Sequence, residues 1–340
     1  MRPWPGPVAT TQGKRISYAL ANAQDRINGM HDEATRSAGQ SVFALVGRTD
    51  MKSIMVRNNS AGVWHLAGHM AVLLALGALV ALAGDGYLQW PAMLLLGIAI
   101  THLFAPQHEC AHYSAFRSRG LNEFVAWVCG LLIMVPQIHF RYEHTDHHTY
   151  TNLPDRDPQH IPLPRSVGAY LWYLSAIPYW WSSWSGLARR SVARLTAQEL
   201  GFIPPGQRRF VVWEARLMSL VYVGVAALVV AGWHAPLQYW FLPLLLGQPV
   251  MRFIRMTEHV GRPTETDLLH NTRTTQVSWL WQFLAWNMNF HAEHHLAPPV
   301  PYHALPRLRS LLNGRVPVRD GYRAGHREIW SEMKARRDAH

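Results

Sequence analysis

Apolar residues along this chain fall into long uncharged runs, not into a short alternation. Residues 66–83 (Leu66 to Ala83) carry no charge and are long enough for a helix crossing a bilayer with modest tilt. A second run follows at 91–105, and Asp85 is the only charge between the two. Residues 217–233 and 236–254 repeat the arrangement around Gly232-Trp233-His234-Ala235-Pro236. Neither connection contains Lys or Arg, which marks both as non-cytoplasmic turns. The pattern predicts two helical hairpins, hence four transmembrane helices whose outer ends return to one side.

Two further runs fit that scheme less simply. Residues 121–138 could span by length, but a single crossing would separate polar segments that the rest of the pattern puts on one side. They are read as an interfacial or re-entrant helix. Residues 168–184 hold Trp172, Tyr173, Tyr179, Trp180, Trp181 and Trp184, the composition of an aromatic interfacial helix. Residues 1–60 are polar, with no apolar signal core near Met1, and are expected to be a cytoplasmic segment and not a secretory leader. Within them Val42 to Met55 is read as a short amphipathic surface helix. Residues 61–312 form the expected catalytic membrane domain, and 313–340 a basic cytoplasmic tail with a helix from about Gly325.

Composition sharpens this picture. The 340 residues are 49% hydrophobic with 15 Trp and 12 Tyr, which supply interfacial anchors. The net charge of +11 is spread over the segments outside the spans, with Lys14, Arg15, Arg48, Lys52 and Arg57 before the first hairpin and Arg189, Arg190, Arg194, Arg208, Arg209 and Arg216 before the second. That face is therefore cytoplasmic, and its charge suits anionic lipid headgroups better than nucleic acid, for which no base-reading module is present. Two cysteines, Cys110 and Cys129, exclude a disulfide framework, a fused rubredoxin and a cysteine zinc site.

The chemistry lies in the histidines. His144-Thr145-Asp146-His147-His148 and His291-Ala292-Glu293-His294-His295 share one pattern, in which positions i, i+3 and i+4 are expected to turn three imidazoles toward one point. With 20 His in the chain, one such triple arises by chance about 0.07 times. His108-Glu109-Cys110-Ala111-His112 adds a pair one turn apart, and His259 follows the second hairpin. The candidate metal ligands are thus His108, His112, His144, His147, His148, His259, His291, His294 and His295. One ion takes about four to six ligands, so nine imply two ions. Glu109, Asp146, Glu258 and Glu293 adjoin ligands and are candidates to orient them, as are Asp155 and Asp157. Asn287, one turn before His291, is a candidate partner for a metal-bound water. His65 and His69 are read as interfacial, His102 could stand behind the ligands but is left out of the set with His139, and the scattered remainder such as His31, His160 and His303 are read as packing or surface residues.

Around these boxes the chain resembles the membrane fatty-acid desaturase and hydroxylase superfamily, over roughly Leu66 to Leu312. The likeness rests on His-x3-His, His-x2-His-His and a late His-x2-His-His around two hairpins. It extends to Thr149-Tyr150-Thr151-Asn152-Leu153-Pro154-Asp155-Arg156-Asp157, Glu258-His259, Asn271-Thr272-Arg273-Thr274-Thr275, the Asn287-to-Pro298 stretch and Pro301-Tyr302-His303-Ala304-Leu305-Pro306. The Asn-rich stretches are similar to bacterial acyl-lipid desaturases. The resemblance implies an all-α integral membrane enzyme whose cytoplasmic His-rich cap holds two iron ions in a bacterial inner (plasma) membrane. It also implies O2 as co-substrate, electrons from a separate ferredoxin- or rubredoxin-type carrier, and insertion of a C=C bond into a fatty-acyl or similarly lipophilic substrate. Hydroxylation or ketolation of an alkyl or terpenoid substrate uses the same boxes and stays open.

Three other classes fit less of the chain. His108-Glu109-x-x-His112 also satisfies the zinc-protease pattern but leaves six clustered histidines unused. A carboxylate-bridged di-iron bundle needs Glu-x-x-His twice, and only Glu109-x-x-His112 supplies it. A metal transporter would carry its ligands along a path inside the spans, not at their ends.

Overall fold

The computed structural model describes residues 42–265 and 267–338, so most of the polar N-terminal segment lies outside the described residues. The first hairpin pairs α2 (Asn59–Ala83) with α3 (Gln89–Thr101), preceded by a short α1 (Arg48–Ile54). The helix expected over Val42 to Met55 is broken at Gly47, whose φ of 89° lies in the left-handed region. At the head of α2 the Asn58 side chain accepts the Ser60 N–H at 2.8 Å, so capping chemistry fixes where the span begins. Along α2, Leu74 and Leu82 stay 76% and 85% exposed. A helix apolar on all sides that leaves such residues uncovered is suited to hydrocarbon, not water.

After α3 the chain runs on through α4 (Phe104–Ala111), and the combined stretch Gln89–Ala111 is a second helix of spanning length. The second hairpin comprises α10 (Arg208–Val230) and α11 (Leu242–His259), joined through a π-helical turn at Leu237–Phe241. By length and apolar composition three helices of the described residues can cross a membrane: Asn59–Ala83, Gln89–Ala111 and Pro205–Val230. The fourth expected span does not meet the same criterion. Its inner end carries Arg252, Arg255 and Glu258, because that end reaches into the polar site.

α3 and α11 meet backbone to backbone. A Cβ on Gly97 would lie 1.8 Å from the Pro243 carbonyl oxygen, and one on Gly247 would lie 2.3 Å from the Gly97 carbonyl. Only glycine at both positions permits this approach, the small-residue contact by which membrane helices pack closely. It sets the end of α11, with His259, beside α4, with His108.

The segment expected as one interfacial helix over 121–138 is the first part of a bent pair. α5 (Arg119–Ile133) and α6 (Gln137–Thr149) meet at 98° across Met134, Val135 and Pro136. Met134 takes φ 64°, and the residue before a proline resists helix, so the chain turns there. The aromatic segment at 168–184 is likewise two helices, α7 (Val167–Leu174) and α8 (Ile177–Ser191), broken at Ala176 with φ 60°. Trp172 and Trp181 are 55% and 78% exposed, as the expected interfacial anchors would have to be. A short α9 (Ala197–Phe202) begins with a capping box between Thr196 and Glu199.

The cap contains α12 (Trp279–Leu284), α13 (His291–Leu296), α14 (Leu305–Leu312) and α15 (Gly321–Asp338), the last starting four residues before the expected Gly325. The architecture is not purely helical. β1 (Thr274–Gln276) pairs in parallel with β2 (Val318–Asp320), Thr274 opposite Val318. Three residues per strand give too little alternation to be read from sequence. This pair ties the approach to α13 to the start of α15.

Candidate metal centre

Four elements deliver the histidines. His108 lies on α4 with His112 as its C-terminal cap residue; His144, His147 and His148 lie on α6; His259 ends α11; His291, His294 and His295 lie on α13. Segments far apart in sequence converge because the bend at Met134–Pro136 directs α6 beneath the ends of α4 and α11. The stretch from Asn271 to Thr275 then stitches α13 to that group. Asn271 Nδ2 donates to the Thr151 carbonyl at 3.3 Å, the Arg273 N–H to the Glu258 carbonyl at 3.1 Å, and the Thr275 N–H to the Asn289 carbonyl at 2.9 Å.

All nine sequence-predicted histidines come together, but not as the boxes suggested. His108, His112, His144, His148 and His294 form one group, and His147, His259 and His295 another, while His291 joins His259 and Glu258. Within each of these groups the ligand atoms lie within 4.8 Å of one another. Each triple is therefore divided between neighbouring groups. Adjacent helical residues point about 100° apart, so His147 and His148, or His294 and His295, diverge to opposite sides. The groups touch: His148 and His295 stack at 4.1 Å between ring centroids.

The ring nitrogens show what this arrangement suits. Nδ1 of His147 donates to Asp157 Oδ1 at 2.8 Å, Nδ1 of His144 to Gln159 Oε1 at 3.0 Å, and Nδ1 of His295 to Thr151 Oγ1 at 3.1 Å. With Nδ1 held outward, Nε2 points inward. The Nε2 atoms of His108, His112, His147 and His295 have no hydrogen-bond partner. Those of the other five face each other, His144 to His148 at 3.0 Å, His294 to His148 at 3.1 Å and His291 to His259 at 2.8 Å. Buried polar atoms are seldom left this way in proteins. Converging bare imidazole nitrogens are what a borderline metal ion such as iron or zinc selects, so the donor set fits two such ions. Burial, with neighbouring imidazoles or Arg255, holds His291, His294 and His295 well below the usual histidine range. That keeps them neutral, the form that binds metal.

The predicted orienting residues divide into three outcomes. Glu109 sits between two ligands: Oε1 lies 3.8 Å from Nδ1 of both His108 and His294, and Oε2 accepts from Ser114 Oγ at 2.7 Å and the Tyr302 N–H at 3.1 Å. A carboxylate held in this way is poorly placed as the free base of a zinc protease. Glu258 lies beside His291 at 3.8 Å and pairs with Arg255 at 2.8 Å, and Asp157 is fixed by the N–H groups of Asn152 and Gln159 at 2.8 Å each. Glu293, by contrast, turns to the Thr274 hydroxyl and to Arg309. Asn287, expected near a metal-bound water, has φ 58° and uses its amide on Gln282 and the Tyr302 carbonyl, bracing the turn into α13. Asp146 is half-buried on α6, and Asp155 is exposed in the loop that follows.

Sequence reading missed Gln159 and Thr151, because an amide or hydroxyl in a loop carries no spacing signal. The remaining core histidines have other tasks. His69 Nε2 contacts the Ala99 carbonyl at 3.0 Å, His65 Nε2 the Phe283 carbonyl at 2.8 Å, and His139 sits 3.3 Å from Glu199. His102 bonds the Ile98 carbonyl at 2.7 Å. Beside His108 and His291 opens a narrow crevice walled by Phe104, Ala105, Met251, Ile254, Ala285 and Met288. Arg255, Glu258, Arg273 and Asn289 also line it; a crevice with an apolar wall ending at a histidine cluster can present a hydrocarbon chain to bound metal.

Comparison with known proteins agrees with the geometry. A family model described as "Fatty acid desaturase" matches residues 85–324. The chain is similar to fatty acid conjugase FAC2 B of Calendula officinalis, 23% identical over 280 residues that cover 72% of this chain and 74% of the relative. It is also similar to the sn-1 oleoyl-lipid 12-desaturase of Arthrospira platensis, 21% identical over 272 residues, 69% and 71% of the two chains. A third relative, the chloroplastic omega-6 fatty acid desaturase of Spinacia oleracea, is 22% identical over 258 residues, 70% of this chain and 56% of its own.

Proposed function

Because this chain belongs to the fatty acid desaturase family and is an oxidoreductase of the desaturase type, we propose that it introduces a C=C bond into a fatty-acyl or similarly lipophilic substrate. One observation carries the reading: nine inward-facing Nε2 atoms beside a crevice with an apolar wall. His108, His112, His144, His148 and His294 would hold one iron, and His147, His259, His291 and His295 the other. Two irons bound there supply the reduction of O2 that makes an unactivated C–H bond removable. The protein's part is to hold the imidazoles neutral through burial, to fix the rings of His147, His144 and His295 through Asp157, Gln159 and Thr151, and to exclude water from the crevice.

The electrons come from a separate ferredoxin- or rubredoxin-type carrier. A groove of about 1120 Å³, bordered by Arg309, Arg323 and Arg327 and reaching Asn289 and Phe290 just before His291, supports docking of an acidic partner there. In this reading 61–312 is the catalytic membrane domain, with four spans counting α11, and 1–60 and 313–340 flank it. The arginine-rich ends of the spans support a cytoplasmic cap, and the bacterial-type Asn-rich stretches a bacterial inner membrane.

The test is product mass after incubation of the purified protein with substrate, carrier and O2. Loss of two hydrogens is the expected result. Gain of one oxygen instead would make the enzyme a hydroxylase on the same centre.

A further inference from the structure

A second cavity, of about 270 Å³, lies beside the histidines, and charged and polar side chains share its lining with apolar ones such as Phe104, Ile133, Phe140 and Met251. It is bounded by Glu143 of α6, Tyr173 of α7, Ser182 and Arg190 of α8, and Gln248 and Arg252 of α11. Four of its polar atoms lack partners: Gln248 Oε1, Arg252 Nε, Arg190 Nε and the Tyr173 hydroxyl. Gln248 is only 2% exposed, so water does not simply satisfy it from outside. Arg190 pairs with Glu199 at 2.9 Å, and Arg255, which also reaches this cavity, pairs with Glu258 at 2.8 Å. Arg252 has no carboxylate within ion-pair reach among the described residues, and its guanidinium stands 4.3 Å over the Tyr179 ring. The cavity also holds one acid, Glu143, which accepts from Gln159 Nε2 at 3.2 Å.

Position supplies the second half of the argument. The cavity shares Phe104, Met251 and Arg255 with the crevice at His108 and His291, so the two adjoin. Its Ser182 comes from the aromatic helix whose Trp181 and Trp184 are exposed, side chains of the kind that anchor at lipid headgroups. We infer that it holds the polar head of the substrate. That head carries an anion for Arg252 and, next to it, an ammonium or hydroxyl donor for Gln248 Oε1 and Glu143. The phosphate head of a membrane lipid has this chemistry, and its alkyl chain would run past Phe104 to the histidines. The inference rests on the proposed function above, in that the ligand is taken to be the molecule oxidised there.

Equilibrium binding to the purified full-length protein in neutral detergent tests it, with radiolabelled lysophosphatidylethanolamine and a monoacylglycerol of the same chain length. The phosphate-bearing ligand should bind about tenfold tighter or more, the gain expected of a charge-assisted, bidentate contact. Arg252→Gln should remove that preference and Arg252→Lys keep part of it, since lysine retains the charge but not the fork. Gln248→Leu should weaken it without touching the charge, and melting temperature and metal content should not move. Equal affinity for the two ligands, or full preference in Arg252→Gln, would overturn the assignment. So would competition by O-phosphoethanolamine as effective as that of the lipid, which would give the cavity to a water-soluble ligand. None of those outcomes would alter product mass, so the desaturase reading stands or falls separately.

Discussion

The two halves of the histidine centre are built from the same boxes but supported differently. The half formed by His108, His112, His144, His148 and His294 contains no carboxylate donor, and its outer contacts are the amide of Gln159 and the more distant Glu109. The half formed by His147, His259, His291 and His295 has the carboxylate of Asp157 directly on His147 and Glu258 at its edge. A carboxylate on Nδ1 raises the basicity of the imidazole behind it more than an amide does. The halves are therefore expected to hold metal with unequal strength, the Asp157 side tighter.

The sharpest way to break that comparison is to remove one ligand from each side. His294→Ala should empty the first half and His147→Ala the second, each lowering metal content and reducing activity to background, as read by elemental analysis and product formation. Full activity in either variant would sink the ligand assignment. Asp157→Asn should come next, with about a 10- to 100-fold loss of metal affinity or activity, the range found for partners behind ligating histidines. Gln159→Leu should cost less than Asp157→Asn in the same titration; the reverse order would contradict the asymmetry.

The smallest effect concerns stability away from the centre. Burial alone would raise Glu199, but bonds from His139, the Thr196 N–H, Arg189 and Arg190 outweigh it and hold the carboxyl well below its usual range. A carboxylate depressed on folding stabilises above its unfolded value and loses that contribution as pH falls through the folded one. Glu199→Gln should therefore lower the melting temperature near neutral pH, and the gap from the unaltered protein should narrow only in strong acid. A gap that does not narrow there would assign Glu199 a packing role.

The nine histidines were legible because repeated i, i+3, i+4 spacing is rare by chance, and the hairpins because uncharged runs are long. What spacing could not show was the division of each triple, which depends on how α6 and α13 face each other across the chain. Nor could it show that Asn287 braces a turn, since an Asn one helical turn from a ligand looks the same in either role. The bend at Met134–Pro136 was half legible: the proline is visible, but the 98° turn depends on packing against α4. The β1–β2 pair was invisible for want of length.

Metal content of the purified, unsupplemented protein is the most direct test of the central claim. About two irons per chain is the predicted result, one for each half of the centre. About one zinc with little iron would contradict it and return His108-Glu109-x-x-His112 to consideration as a hydrolytic site.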